Sequence, residues 1–345
     1  MIESVKLAGK YLDQPLLVSK FKQAVPKVFI GGAVAYDLNE VRKAPKDKKR
    51  ETLINNTAIL GATVASALAA PRIASKVVNK PYERFLSSDI IKKNTEIIDN
   101  FTSSNKVSEK VEGILEKAKT KVLNLKEINN VYKELSKNEN GKKFFNTLIP
   151  EPENITSKDI INEIGRLSVL GFIPVAGGIA GGLAGEKITK GELSKEKTAN
   201  RVKEGAYQYL ANIFMCNVGA AAALGVLEKM DVKSKAARVA GMVTGIVATG
   251  IVGGSAIANY IGKKVINPIF DKDKKSNSER RPEVLDICLH SDDIATIAVM
   301  SGLKWIEPTL PILYGISGYR AGIGYRNKVK KVDAEIPEPN FSAEG

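Results

Sequence analysis

A lysine and a glutamate stand three residues apart inside an otherwise apolar segment, residues 294–319. If the segment is helical, Lys304 and Glu307 lie on one face, because side chains at i and i+3 are neighbours. An ion pair inside a membrane is costly, and charged residues there mark substrate or ion paths. The alternative is a segment that does not cross, such as a surface loop or a re-entrant element with hydrated charges.

Two prolines extend this candidate site. Pro308 follows Glu307 directly, and Pro174 occupies a similar place in the apolar segment 167–185. Proline removes a backbone hydrogen bond inside a helix and kinks it, and the freed carbonyls can face a cavity or a partner helix. The sequence therefore predicts a substrate pathway lined by four residues: Lys304, Glu307, Pro174 and Pro308.

Residues for other kinds of chemistry are scarce. The chain has one histidine, His290, and two cysteines, Cys216 and Cys288, so a zinc site of these types would need all three. His290 lies beside Asp292 and Asp293, which could handle protons, but a surface histidine before a helix is the simpler interpretation. No phosphate-binding loop, metal motif or nucleophile elbow is present. We expect no metal, no cofactor and no enzymatic activity.

The elements that would position these residues are apolar helices. Four segments carry no charged residue: 53–71, 167–185, 205–227 and 239–262. Two more are nearly as apolar: 28–38 and 294–319. A helix needs about 20 mostly apolar residues to cross a bilayer. We therefore predict an all-α fold, a membrane bundle of about six Gly/Ala-rich helices; a large soluble bundle with buried helices is the alternative.

Glycines recur at intervals of four residues within these segments, an arrangement that places them on one helix face. Such a face lets the backbone of a neighbouring helix approach closely. The sequence predicts helix packing or self-association through a defined set of glycines: Gly177, Gly181, Gly185, Gly241, Gly245, Gly250 and Gly254.

The apolar segments appear in the same order twice. Residues 157–185 align with 291–319 without a gap, pairing Pro174 with Pro308 and Gly181 with Gly315. The identities are few, so chance similarity between apolar segments is the alternative. The sequence predicts two three-helix repeats, and three crossings per repeat would invert the second copy, as in many secondary transporters.

Charge-rich segments separate the apolar ones. The largest, residues 80–158, holds 15 Lys/Arg and 12 Asp/Glu with apolar positions at helical spacing. It predicts a small helical insertion that packs on itself; a partner-binding arm or short coiled coil is the alternative. The predicted organisation is an amphipathic N-terminal segment (1–27), a first apolar helix pair (28–79), the insertion (80–158), a Pro-interrupted helix (159–185), a second apolar pair (205–262), a polar linker (263–293), a second Pro-interrupted helix (294–325) and a polar tail (326–345).

The net charge of +14 is spread over the loops. With six crossings, loops 39–52, 186–204 and 263–293 share one side, and the insertion and the C-terminus share the other. Both sides are basic, so the excess of Lys and Arg does not fix an orientation. Because the basic residues are mixed with acids and flank apolar segments, we expect anionic lipid headgroups as partners and no nucleic acid.

Three hypotheses of function follow. The first is a multi-pass membrane transporter or pore with its site at the Pro-interrupted helices. The second is a membrane scaffold that associates with itself through its glycine faces, as a homo-oligomer. The third is a soluble helical bundle that acts as a protein-interaction module.

Overall fold

A computed structural model describes residues 9–79, 86–150, 157–232, 235–270 and 305–324. These residues are mostly helical and include no β strand, which confirms the all-α prediction. The helices are α1 (Pro15–Lys43), α2 (Lys49–Val77), α3 (Ser87–Ser104), α4 (Glu109–Thr120), α5 (Leu125–Leu135), α6 (Glu139–Leu148), α7 (Ser157–Lys190), α8 (Lys195–Lys229), α9 (235–270) and α10 (Leu310–Ile323). Helices α8 and α9 are continuous through π-helical stretches at Leu210–Phe214, Val247–Gly254 and Gly262–Ile266.

Four helices of the described part are long and apolar enough to cross a membrane, where the sequence predicted about six. They cover Lys46–Val77, Asn162–Lys190, Lys195–Lys229 and Ala240–Phe270. Of the two marginal segments, 28–38 forms part of α1. Residues 294–304 of the other lie outside the described residues, and 310–319 form part of α10. Only 25% to 50% of each apolar window is buried within the protein. The remainder would face lipid if these helices span a membrane.

The helices of the bundle expose many large apolar side chains. They include Val28, Ile30, Val34, Leu38, Phe172, Val226, Val243, Val247, Tyr260 and Ile269. In the helices α3–α6, by contrast, the large exposed apolar side chains are Leu125 and Tyr132.

Helix α7 lies at the centre of the bundle. The contacts of its glycines show in which direction each neighbouring helix runs. A methyl group at Gly177 would meet Ser66, and one at Gly185 would meet Asn55, so α2 runs antiparallel to α7. Along α10, Gly318 lies against the carbonyl of Pro174 and Gly322 against that of Gly178. Helices α7 and α10 are therefore parallel.

The parallel pair corrects two expectations of the inverted-repeat plan. That plan requires the third and sixth crossings, here α7 and α10, to run in opposite directions. The prediction is wrong, because the two helices are parallel. The plan also placed the C-terminus across the membrane from loop 186–204, whereas Gly324 lies against Arg201. The physical reason is that α9 and α10 run in the same direction, so the directions do not alternate between α7 and α10. The duplication itself remains a prediction from sequence.

The charged insertion forms a separate small core. Helices α3–α6 bury a cluster that includes Ile98, Leu115, Ile128, Val131 and Phe145. Side-chain caps mark the starts of α4, α5 and α6. At α5 the Asn124 side chain accepts from Glu127 N, and the Glu127 carboxylate accepts from Asn124 N.

The N-terminal segment packs on this insertion. Gln14 Nε2 donates to Leu123 O at 2.9 Å, and Leu123 N donates to Gln14 Oε1 at 2.8 Å. The Lys10 ammonium lies 4.7 Å from the centre of the Phe145 ring. Residues 10–14 of the predicted amphipathic N-terminal segment thus lie against the insertion.

Gly181 tests the close contact between α2 and α7. Its Cβ would clash with the Ala58 carbonyl oxygen of α2, whereas nothing lies within 4 Å of a Cβ at Gly61. We expect Gly181→Ala to lower the free energy of unfolding by about 1–3 kcal/mol, since overpacking displaces backbone. Gly61→Ala should be neutral or slightly stabilising, because alanine favours helix. Unfolding in detergent followed by circular dichroism measures both; equal stabilities would contradict the contact.

Candidate functional site

The predicted site residue Glu307 forms an ion pair, with a partner that the sequence did not suggest. It opens a 3₁₀ turn, Glu307–Thr309, that leads into α10. Arg166 Nη1 of α7 lies 2.9 Å from Glu307 Oε1, and Arg166 also binds Glu163 one turn earlier. Lys304 lies outside the described residues, so its pairing with Glu307 stays a prediction.

The two prolines have different positions. Pro174 lies inside α7, which continues past it from Ser157 to Lys190, and its carbonyl faces Gly318 of α10. Pro308 lies in the 3₁₀ turn before α10, and Pro311 lies in the first turn, where a missing N–H costs little. Pro308 thus lies in the turn that precedes α10. Residues 294–304 of the predicted Pro-interrupted helix lie outside the described residues.

The predicted packing glycines all lie against other helices. Those of α7 face α2, as described above, and those of α9 face α8. Gly245 lies against the Gly219 carbonyl, and Gly250 against the Cys216 sulfur. The remaining contacts are Gly241 with Leu227 and Gly254 with Ala211. A further set, which sequence reasoning did not single out, joins α7 to α10: Gly178, Gly182, Gly318 and Gly322.

A stripe of buried polar side chains follows the inner face of α8. We name it the polar stripe: Arg201, Glu204, Gln208, Asn212 and Asn217. Their exposed fractions run from 0% for Gln208 to 7% for Arg201. At about 1.5 Å per residue the polar stripe extends over roughly 24 Å, which is most of a hydrocarbon core about 30 Å thick.

Direct hydrogen bonds connect the middle of the polar stripe. Gln208 Nε2 donates to Glu204 Oε1 at 2.7 Å, and Asn212 Nδ2 donates to Gln208 Oε1 at 3.0 Å. The π turn Leu210–Phe214 then keeps the stripe on one face. In a π turn, residues five apart align, and the Cys216 thiol accordingly reaches the Ala211 carbonyl at 3.2 Å. Asn217 therefore lies on the same face of α8 as Asn212, one π turn further along the helix.

Two buried ion pairs join the polar stripe to α7 and α10. Arg201 binds the Glu186 carboxylate of α7, and its Nε donates to the Gly322 carbonyl of α10 at 2.9 Å. Arg320 Nε of α10 lies 3.6 Å from Glu204 Oε1. Two carboxylates and two guanidinium groups thus balance each other, as buried charges require. Helices α7, α8 and α10 meet at these four residues.

Further buried polar atoms extend the polar surface towards the other end of the bundle. Ser168 of α7 shares the face of Val175, which contacts α8 near Gly205. Because Gly171 faces Ile213 in this antiparallel pair, Ser168 lies at about the level of Asn217. Ser168 Oγ, Asn217 Nδ2 and Ser317 Oγ are buried and have no hydrogen-bond partner among the described residues.

The ion pair of Arg201 and Glu186 can be tested against an exposed pair of the same bundle end. We expect Arg201→Gln to cost about 3–5 kcal/mol, because it leaves a carboxylate buried without its partner. The double variant with Glu186→Gln should recover part of that loss. The control pair, Lys43 and Glu40 at 3.4 Å, is exposed and should contribute less than about 1 kcal/mol. A double-mutant cycle of unfolding free energies gives both couplings; equal couplings would contradict the buried pair.

Comparison with known proteins gives no match: no family model, no curated protein and no solved structure matches this chain. Function is therefore inferred from the polar stripe, from the charges at its ends and from the apolar helices around it.

Proposed function

We propose that this chain is a non-enzymatic, multi-pass integral membrane protein in which the polar stripe forms a transport path across the bilayer. One observation carries the proposal: five buried polar side chains recur at intervals of three to five residues along α8, a helix long and apolar enough to span a membrane. The proposed path lies between α7, α8 and α10. It replaces the proline pair as the centre of the transporter hypothesis.

The energetic argument rests on the ionisable groups and on the polar atoms that lack partners. Ionisable groups in spanning helices usually mark pathways. Asn217 Nδ2, Ser168 Oγ and Ser317 Oγ are buried without a hydrogen-bond partner among the described residues, which costs free energy if they serve packing alone. At the other end of the bundle, Arg166, Glu163 and Glu307 form a second charged cluster. Polar groups therefore occur at both ends of the path and between them.

The short loops at the two ends of the bundle differ in basic charge, and the difference supports an orientation: loops 39–52 and 186–204 at one end hold six Lys/Arg each, and loop 228–238 at the other end holds four. One end of the bundle carries the α1–α2 turn, the α7–α8 turn and the end of α10, and its basic residues include Arg42, Lys43, Lys46, Lys48, Lys49, Arg50, Lys187, Lys190, Lys195 and Lys197. Short basic loops stay on the cytoplasmic side, whereas larger domains cross regardless of charge. We propose that this basic end faces the cytoplasm and its anionic lipid headgroups, with α3–α6 on the opposite side.

The scaffold hypothesis remains the second candidate, supported by the glycine contacts. Gly178 and Gly182 of α7 bring its backbone against that of α10, and Gly219 does the same between α8 and α9. Such contacts make a rigid bundle that could present α3–α6 to partners, alone or as a homo-oligomer. The soluble-bundle hypothesis has less support, because half or more of each apolar window is not buried.

Membrane insertion is tested first, and transport is tested second. We expect the protein to stay in the membrane pellet after alkaline carbonate extraction; release to the supernatant would contradict the spanning helices. Purified protein in liposomes is then tested with three probes: protons by internal pyranine, potassium by electrode, and sucrose by light scattering. At least one probe should cross faster than in empty liposomes.

A pair of substitutions assigns the flux to the path. Asn212→Leu and Asn217→Leu should reduce it at least tenfold, because apolar side chains interrupt the polar stripe. The control is Thr244→Leu, an exposed position on α9 whose hydroxyl bonds only its own helix, and it should leave the flux unchanged. Equal flux in all variants would show that the solute takes another route.

A further inference from the structure

The hydrogen bonds within the polar stripe limit what can pass along it. Glu204, Gln208 and Asn212 are bonded directly to one another at 2.7 and 3.0 Å. A hydrated ion or an organic solute would have to separate these side chains from each other. A proton needs no such separation, because it can move along ordered water beside these side chains.

We propose that the species carried along the path is the proton, and that the Glu204 carboxylate is the group that binds and releases it. The inference rests on the proposed transport function and names its substrate. Among the five residues of the polar stripe, Glu204 is the one suited to this exchange. Arginine stays protonated, and the amides of glutamine and asparagine do not titrate.

Buried polar atoms without a hydrogen-bond partner among the described residues lie along the bundle on both sides of the level of Glu204. On the basic side, Glu186 Oε1 is buried without a hydrogen-bond partner, and the half-exposed Lys197 ammonium lies 4.0 Å from it. On the other side are the buried hydroxyls of Ser317 and Ser168 and the Asn217 amide. Unsatisfied buried polar groups of this kind are the usual partners of ordered water in proteins.

The transfer step is balanced without another reactant. A proton adds to a carboxylate oxygen of Glu204, giving the carboxylic acid, and later leaves to a water molecule on the other side. No other covalent bond changes. While Glu204 is protonated, Arg320 loses the negative charge 3.6 Å from its Nε, so the contact between α8 and α10 weakens during that interval.

The test uses the full chain in liposomes that contain pyranine, with an inside-negative potassium diffusion potential set by valinomycin. We expect acidification of the lumen clearly faster than in empty liposomes. The isosteric variant Glu204→Gln should slow it at least tenfold. The matched control is Glu51→Gln: this half-exposed carboxylate lies 3.8 Å from Lys190 at the same end of the bundle, and its loss should leave proton flux unchanged.

A second measurement keeps the test decisive if Glu204→Gln fails to fold. Dicyclohexylcarbodiimide, a membrane-soluble reagent that couples to protonated carboxyl groups, should block proton flux in the unmodified protein and add its mass to the peptide containing Glu204. Full proton flux in Glu204→Gln, or no inhibition by the reagent, would overturn the assignment of Glu204. Flux of potassium or sucrose without flux of protons would contradict the proton as the transported species, but it would agree with the proposed transport function. No flux of any probe would overturn both.

Discussion

Four charged residues, the buried Glu186, Arg201 and Glu204 and the partly buried Arg320, join three helices of the bundle. Their mutual attraction is strong because little water reaches them, but each would be costly to bury alone. The arrangement is therefore stable only if α7, α8 and α10 keep their present register. That register, in turn, places Gln208, Asn212 and Asn217 on the inner face of the bundle.

Glycine makes the register geometrically possible. A Cβ at Gly182 would lie 2.7 Å from Arg201 Nε, so any other residue there would displace the guanidinium from Glu186 and Gly322. On the same face, Gly178 lets the α10 backbone approach α7. The close helix packing and the ion pairs thus depend on each other, which is why transport and scaffold hypotheses share many residues.

The sequence predicted the apolar helices well, but it said much less about which residues pair between helices. Its uncharged segments predicted an all-helical protein with helices able to cross a membrane, and four such helices are found in the described residues. The polar stripe was missed because each uncharged segment was cut at the charged residues that pair: 167–185 stops before Glu186, and 205–227 starts after Glu204. The spacing from Gln208 to Asn217 could have indicated one polar face, but the π turn shifts it out of ordinary helical periodicity. Direction was also beyond the sequence, since the relative orientation of α7 and α10 depends on contacts far apart in the chain.

The central claim is that α8 carries its polar stripe across a membrane, and its two ends can be located directly. Cys216 and Cys288 are replaced by alanine, and single cysteines are introduced at Glu192, before α8, and at Met230, just after it; both positions are exposed. Sealed vesicles are then treated with a membrane-impermeant maleimide from one side at a time. The account predicts that the two positions react from opposite sides, with Glu192→Cys reacting from the cytoplasmic side. Reaction of both positions from the same side would contradict it.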